Sequence, residues 1–202
     1  MSDTCSQCED YPPEMDQVVV AVDFVQPWSD LIGELKFQDT PAVAHTLTRL
    51  LAQAVWQAAR QHKHPTPDLI VPIPLSDHRW HERGYNQAWL LAQGVSRQLG
   101  WGSRLRPHTL VRQHDTGRLM SMLADERERR IKQAFRVCAD KRHQVEGQHV
   151  VMVDDVMTTG ATANEAARTL LAAGAASVTG WFAARTPTRS RQALATARCP
   201  AQ

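Results

Sequence analysis

The chain has 202 residues, room for one domain of ordinary size with a small module at either end. Hydrophobic residues make up 43% of it and charged residues 22%, which excludes disordered or fibrous usage. The formal net charge of +2 excludes a global field for polyanions, yet residues 104–142 hold 11 Lys/Arg against 5 Asp/Glu, so a polyanion site is expected to draw on that segment.

Met1 to Cys5 shows no basic stretch leading into an apolar one, and no apolar run approaches bilayer-spanning length, so a cytoplasmic protein without membrane insertion is expected. Cys5 and Cys8 have the spacing of half a zinc knuckle, two ligands short of the four that structural zinc takes. Zinc is therefore not expected in this chain unless a second protomer completes the site. Residues 1–16 are polar, carry Pro12 and Pro13, and read as a stub outside the main fold, which begins near Gln17.

Val18 to Phe24 is β-branched and apolar enough for a strand. Pro27 to Lys36 then places Trp28, Leu31, Ile32 and Leu35 at helical spacing. Asp39-Thr40-Pro41 supplies an N-cap and a proline at the first helical position, ahead of Val43, Leu47, Leu50, Leu51, Ala54, Val55 and Ala58. Pro65 and Pro67 end that long amphipathic helix. Asp68 to Ile73 reads as a short buried strand entering a turn flanked by Pro72 and Pro74. Asn86, Leu90, Leu91, Val95 and Leu99 mark the face of a further helix, with Gly100 where a left-handed C-cap is favoured. Thr109 to Arg112 is a candidate strand. His114 to Arg130 lacks an apolar period and reads as a mobile loop leading into a helix. Val150 to Val153 is a buried strand, Thr162 to Ala173 a helix capped by Gly174, and Val178 to Ala184 a last strand. Strands alternating with helices predict an α/β fold with a mainly parallel, doubly wound central sheet flanked by helices. Ligands of such sheets bind at the carboxyl ends of strands, here the turns after Ile73 and Val153.

The second of those turns carries chemistry. Four apolar residues lead to Asp154 and Asp155, and the turn Thr158-Thr159-Gly160-Ala161-Thr162 opens a helix. Unsatisfied backbone N–H groups at a helix start suit a phosphate monoester, Gly160 allows close approach, and the threonine hydroxyls add donors. The two carboxylates suit sugar hydroxyls or Mg²⁺. A Walker A loop is excluded, because no lysine follows Gly160. The bland alternative is that the two acids merely cap a helix.

Val150 to Thr162 resembles the motif for 5-phosphoribosyl-1-pyrophosphate (PRPP) of type I phosphoribosyltransferases. Leu31 to Phe37, Val71 to Leu75, Arg79, and Arg83-Gly84-Tyr85-Asn86-Gln87 narrow the resemblance to the ComF family of competence and DNA-utilisation proteins, over roughly residues 5 to 185. The resemblance implies a phosphoribosyltransferase-like domain at 17–190 and a tail at 191–202. It implies that Asp154 and Asp155 contact the ribose hydroxyls as the catalytic acids, and that Thr158, Thr159, Gly160, Ala161 and Thr162 hold the 5-phosphate. It further implies Mg²⁺ arriving with PRPP or a ribose-5-phosphate-type ligand, and an N-terminal stub left from a zinc ribbon. For the pyrophosphate, the fixed donor forks of Arg79 and Arg83 are the candidates, against the reading that they are solvated surface arginines. Asn86 and Gln87 are further ligand candidates that can instead cap or pin the following helix. The family carries a flexible loop between Arg112 and Phe135, in which this chain departs from the pattern at Leu119 and Arg130 and keeps Arg127 and Arg129.

Two functions follow as expectations. One is transfer of a phosphoribosyl group to a nitrogen nucleophile with release of pyrophosphate, the acceptor being unidentified. The other is a non-catalytic factor that binds single-stranded DNA through residues 104–142, or a homodimer or DNA-uptake partner. The six tryptophans do not interleave with the basic residues as a stacking platform would.

Overall fold

The computed structural model describes residues 13–37, 41–61, 66–113 and 134–187. Four strands form an all-parallel sheet: β1 (Gln17–Asp23), β2 (Leu69–Pro72), β5 (His149–Met157) and β6 (Ser177–Arg185), in the order β1-β6-β5-β2. Between β1 and β2 lie α1 (Trp28–Phe37) and α2 (Pro41–Arg60). Between β2 and β5 come α3 (Asp77–Arg83), α4 (Gln87–Gln98), the antiparallel pair β3 (Leu110–Arg112) and β4 (Phe135–Val137), and the single turn α5 (Arg142–Val145). The last helix, α6 (Ala161–Ala172), connects β5 to β6.

Helices cover both faces, so the strands are apolar on both sides, as a parallel sheet requires. On one face Val151, Val153 and Trp181 pack under Ile32 and Leu35 of α1, Leu47 and Leu51 of α2, and Leu91 and Val95 of α4. On the other, Val150, Met152 and Phe182 pack under Ala163, Ala166 and Leu170 of α6, joined by Leu110 and Phe135. Helices α2 and α4 meet closely at Gly94, where a Cβ would fall 2.5 Å from Cγ2 of Thr48.

Among the described residues the expected strands and helices are present, and α5 is a short addition to them; four further differences bear on the site or the domain edge. Strand β5 continues to Met157, because β6 pairs with it as far as Met157 opposite Arg185. The acids are therefore inside the strand rather than beyond it. Helix α3 was not expected: its residues are all at least partly exposed, so no apolar period marks it. Strand β4, three residues long, was not expected either. Finally, residues 14–16, placed in the N-terminal stub, are bound to the domain. Asp16 exchanges two hydrogen bonds with Val178, its N–H donating to the carbonyl and its carboxylate accepting from the N–H. Met15 is buried, and Glu14 pairs with Arg168 at 3.1 Å. Cys5, Cys8, the mobile-loop expectation with Leu119, Arg127, Arg129 and Arg130, and the tail from 191 lie outside the described residues.

Candidate functional site

Strand β2 pairs with β5 only as far as Pro72 opposite Val153, after which the N–H of Ile73 makes one more bond to Val153. Proline cannot donate, and Pro72 and Pro74 turn the chain away from the sheet. Residues 154–157 of β5 consequently keep a neighbour on the β6 side and open on the other. A cavity of about 340 Å³ occupies that opening.

Three groups of side chains line it. Asp154 and Asp155 lie on the floor, followed by Thr158, Gly160, Ala161 and Thr162 at the start of α6. Gly160 is the N-cap of α6 with φ 81°, a left-handed conformation that glycine adopts without a Cβ penalty. Thr159 does not line the cavity; its hydroxyl accepts from the N–H of Ala161 at 3.4 Å within the turn. Across the opening stand Arg79 and Arg83 from α3, and Gln87 from the first turn of α4.

Local sequence explains how the arginines arrive there. Ser76 caps α3 by accepting from the N–H of Arg79, and Gly84 ends the helix at φ 74°. Asn86 caps α4 through the N–H groups of Ala88 and Trp89 while its amide donates to the carbonyl of Ile73 at 3.0 Å. That bond ties the start of α4 to the end of β2. Arg83 donates to Oε1 of Gln87 at 3.1 Å. Gln87 is 1% exposed, and its Nε2 has no hydrogen-bond partner among the described residues. A buried amide donor of this kind on a cavity wall is costly until a ligand accepts from it.

The acids differ in their surroundings. Asp154 accepts from the N–H of Asp155, and Asp155 from that of Val156. Burial, reinforced by the charge of Asp155, raises the Asp154 carboxyl well above the ordinary carboxylate range. Asp155 has a cationic partner, Lys36, whose Nζ lies 3.4 Å from Oδ2. Lys36 comes from the last turn of α1 and also lies 6.0 Å over the ring of Phe24. Tyr85 donates to the carbonyl of Leu35 at 2.6 Å, so the two segments Leu31–Phe37 and Arg83–Gln87 meet at the cavity rim. Reasoning from sequence did not place Lys36 in the site, and it weighed Gln87 between a ligand and a residue that pins α4. The signal for Lys36 was a lone lysine ending an otherwise apolar helix face.

Residues 88–191 match the phosphoribosyl transferase domain family. The chain is 40% identical over 184 residues to the DNA utilization protein YhgH of Salmonella typhi, which covers 90% of this chain and 78% of that one. It is 36% identical over 181 residues to competence protein F of Haemophilus influenzae, at the same coverage. The chain belongs to the ComF family. Its fold is that of the type I phosphoribosyltransferases, a parallel sheet flanked by helices. Among solved structures, this ComF-family chain matches the glutamine PRPP amidotransferase from B. subtilis at a TM-score of 0.48 and 21% identity, over 75% of this chain and 30% of that one. The domain match takes in the acid pair and the α6 turn, while Lys36, Arg79 and Arg83 lie before its first residue. Among the described residues, no helix is long and apolar enough to cross a membrane.

Proposed function

We propose that this ComF-family protein binds PRPP in the cavity between β2 and β5 and transfers its phosphoribosyl group to a nitrogen nucleophile, in the context of DNA uptake or use. The observation that carries this reading is a single cavity lined by an acid pair, a helix-start turn and two arginines. A sugar phosphorylated at both ends needs these three environments in one place. The N–H groups at the start of α6 suit the 5-phosphate, Asp154 and Asp155 the ribose hydroxyls, and the forks of Arg79 and Arg83 the pyrophosphate. The unpartnered donor of Gln87 adds a further contact for an anionic oxygen.

Mg²⁺ fits as a companion of the ligand. The chain offers two adjacent carboxylates, one of them already paired with Lys36, and the described residues bring together no group of three His, Cys, Asp or Glu that could hold a metal. Bound with PRPP, the ion would neutralise charge on the pyrophosphate. In the reaction, the nucleophile's lone pair forms the N–C1 bond, and the C1–O bond breaks with its electron pair leaving on pyrophosphate. The side chains contribute position and charge: the turn fixes the phosphate end, the acids fix the ring, and the arginines receive the departing charge.

The DNA-binding alternative gains no support from the described basic residues. Arg104 donates to the carbonyl of Pro67, Arg106 to Ser103 and Leu105, Lys141 to Pro107, and Arg142 to Ala172. Four of the six basic residues described in that segment are thus engaged with backbone carbonyls, and the other five of its eleven lie outside the described residues.

Calorimetry with PRPP and Mg²⁺ tests the site. The wild-type protein is expected to bind, and Asp154→Ala/Asp155→Ala to lose at least roughly tenfold in affinity, since charge-assisted bonds disappear. Absence of binding by the wild type would overturn the reading. Pyrophosphate release across a panel of nucleobases and amines then separates transfer from binding alone.

A further inference from the structure

Two carboxylates side by side at the end of a strand, largely removed from water, are the kind of donor set that captures a divalent cation from solution. In this protein a cation is already there. Lys36 puts its ammonium 3.4 Å from Oδ2 of Asp155, with side chains 25% and 13% exposed respectively. Its position does not depend on the acid alone. The ring of Phe24 lies beneath the ammonium at 6.0 Å, and the backbone that carries it is fixed one residue earlier, where Tyr85 donates to the carbonyl of Leu35. Lys36 is therefore brought to Asp155 by the packing of α1.

We propose that Lys36 is a built-in counter-cation that closes the acid pair to free divalent metal and reserves it for ligand hydroxyls. The inference concerns the same cavity as the proposed PRPP site and deepens that reading. Its physical basis is competition for one place. A metal ion at Asp155 would have to expel an ammonium that costs the fold nothing further to hold, or share the carboxylate with it against like-charge repulsion. A hydroxyl meets no such barrier, because it donates a hydrogen bond and brings no positive charge. Arg79 and Arg83 stand across the cavity and make the approach of an uncomplexed cation less favourable still. A metal carried on a diphosphate arrives with its charge neutralised, and is not excluded. Lys36 is thus a positioning residue: it sets which species can use Asp155.

The test is a titration of the full chain with Mn²⁺, read by electron paramagnetic resonance and carried out without any sugar phosphate. Wild-type protein is expected to show no Asp155-dependent Mn²⁺ binding. In Lys36→Met, and in the more polar Lys36→Gln should the first variant fail to fold, Mn²⁺ affinity is expected to rise at least about tenfold as the Asp155 carboxylate loses its internal partner. Lys36→Arg, which restores the charge, should return to the wild-type level, and Lys36→Met/Asp155→Asn should lose the gain. Wild-type Mn²⁺ binding that Asp155→Asn abolishes would overturn the proposal, whatever the variants do. So would a Lys36→Met protein of unchanged circular dichroism and unchanged Mn²⁺ affinity. No phosphoribosyl ligand enters this titration, so its failure leaves the PRPP site standing. Failure of the wild type to bind PRPP would equally leave the Lys36 result standing.

Discussion

At Asp154, burial and the neighbouring carboxylate of Asp155 act in the same direction, and Lys36 opposes them only in part. The carboxyl is raised from 3.8 to about 8, so the folded state holds a proton that the unfolded chain releases earlier. The contribution to stability is complete below the unfolded value and is lost as pH climbs from 3.8 toward about 8. Thermal melts across that window are expected to show the wild type losing stability relative to Asp154→Asn, which has no proton to release; parallel curves would contradict this. Gly160 supplies a second prediction. Its φ of 81° is strained for any residue with a Cβ, while the space around it is open, so the penalty of Gly160→Ala is a backbone one. Urea denaturation should show a loss of roughly 1–2 kcal/mol.

Helices α2 and α4 approach so closely that Gly94 has no room for a methyl group against Thr48, a buried side chain in a helix fixed by its own apolar face. Gly94→Ala is expected to cost about 1–3 kcal/mol by overpacking, measured by chemical denaturation. At this scale it also becomes clear what was legible in the sequence. The parallel strands were, because burial on both faces writes them as unbroken apolar runs such as Val150 to Val153. Helix α4 was, through its period and the Gly100 cap. Helix α3 was not, since it buries no residue, although Ser76 and Gly84 were available as its start and stop signals. The extension of β5 through the acids was hidden for another reason. Two adjacent aspartates argue against a strand locally, and only pairing with β6 overrides that preference. The turn at Thr158 to Thr162 could be read from residue types alone. Lys36 stood out as a lone lysine but could not be placed, because its position in the site depends on where α1 lands on the sheet.

The whole molecule is a sheet with unequal strands. β5 and β6 are flanked on both sides, whereas β1 and β2 are edges, β2 with only four residues. Native-state hydrogen exchange should therefore find the slowest amides in β5 and β6, with β2 opening earlier. The free edge of β2 is bridged at one point, where the N–H of Arg106 donates to the carbonyl of Ile70, so a β2 as protected as β5 would contradict this order of opening. The early end of β2 is also what makes room for the cavity, so the earlier opening expected of that edge and the site have one origin. The hydrogen bond from Tyr85 to Leu35 has a mechanical meaning. Tyr85 sits two residues from Arg83, and its acceptor Leu35 sits one residue from Lys36. The phenol thus acts as a strut between the arginine wall and the acid floor. Together with the bond from Asn86 to Ile73 and the ion pair of Lys36 with Asp155, it holds their separation before any molecule enters. For the ligand proposed above, the cavity is a calliper set in advance, its jaws fixed by the fold and not by the guest.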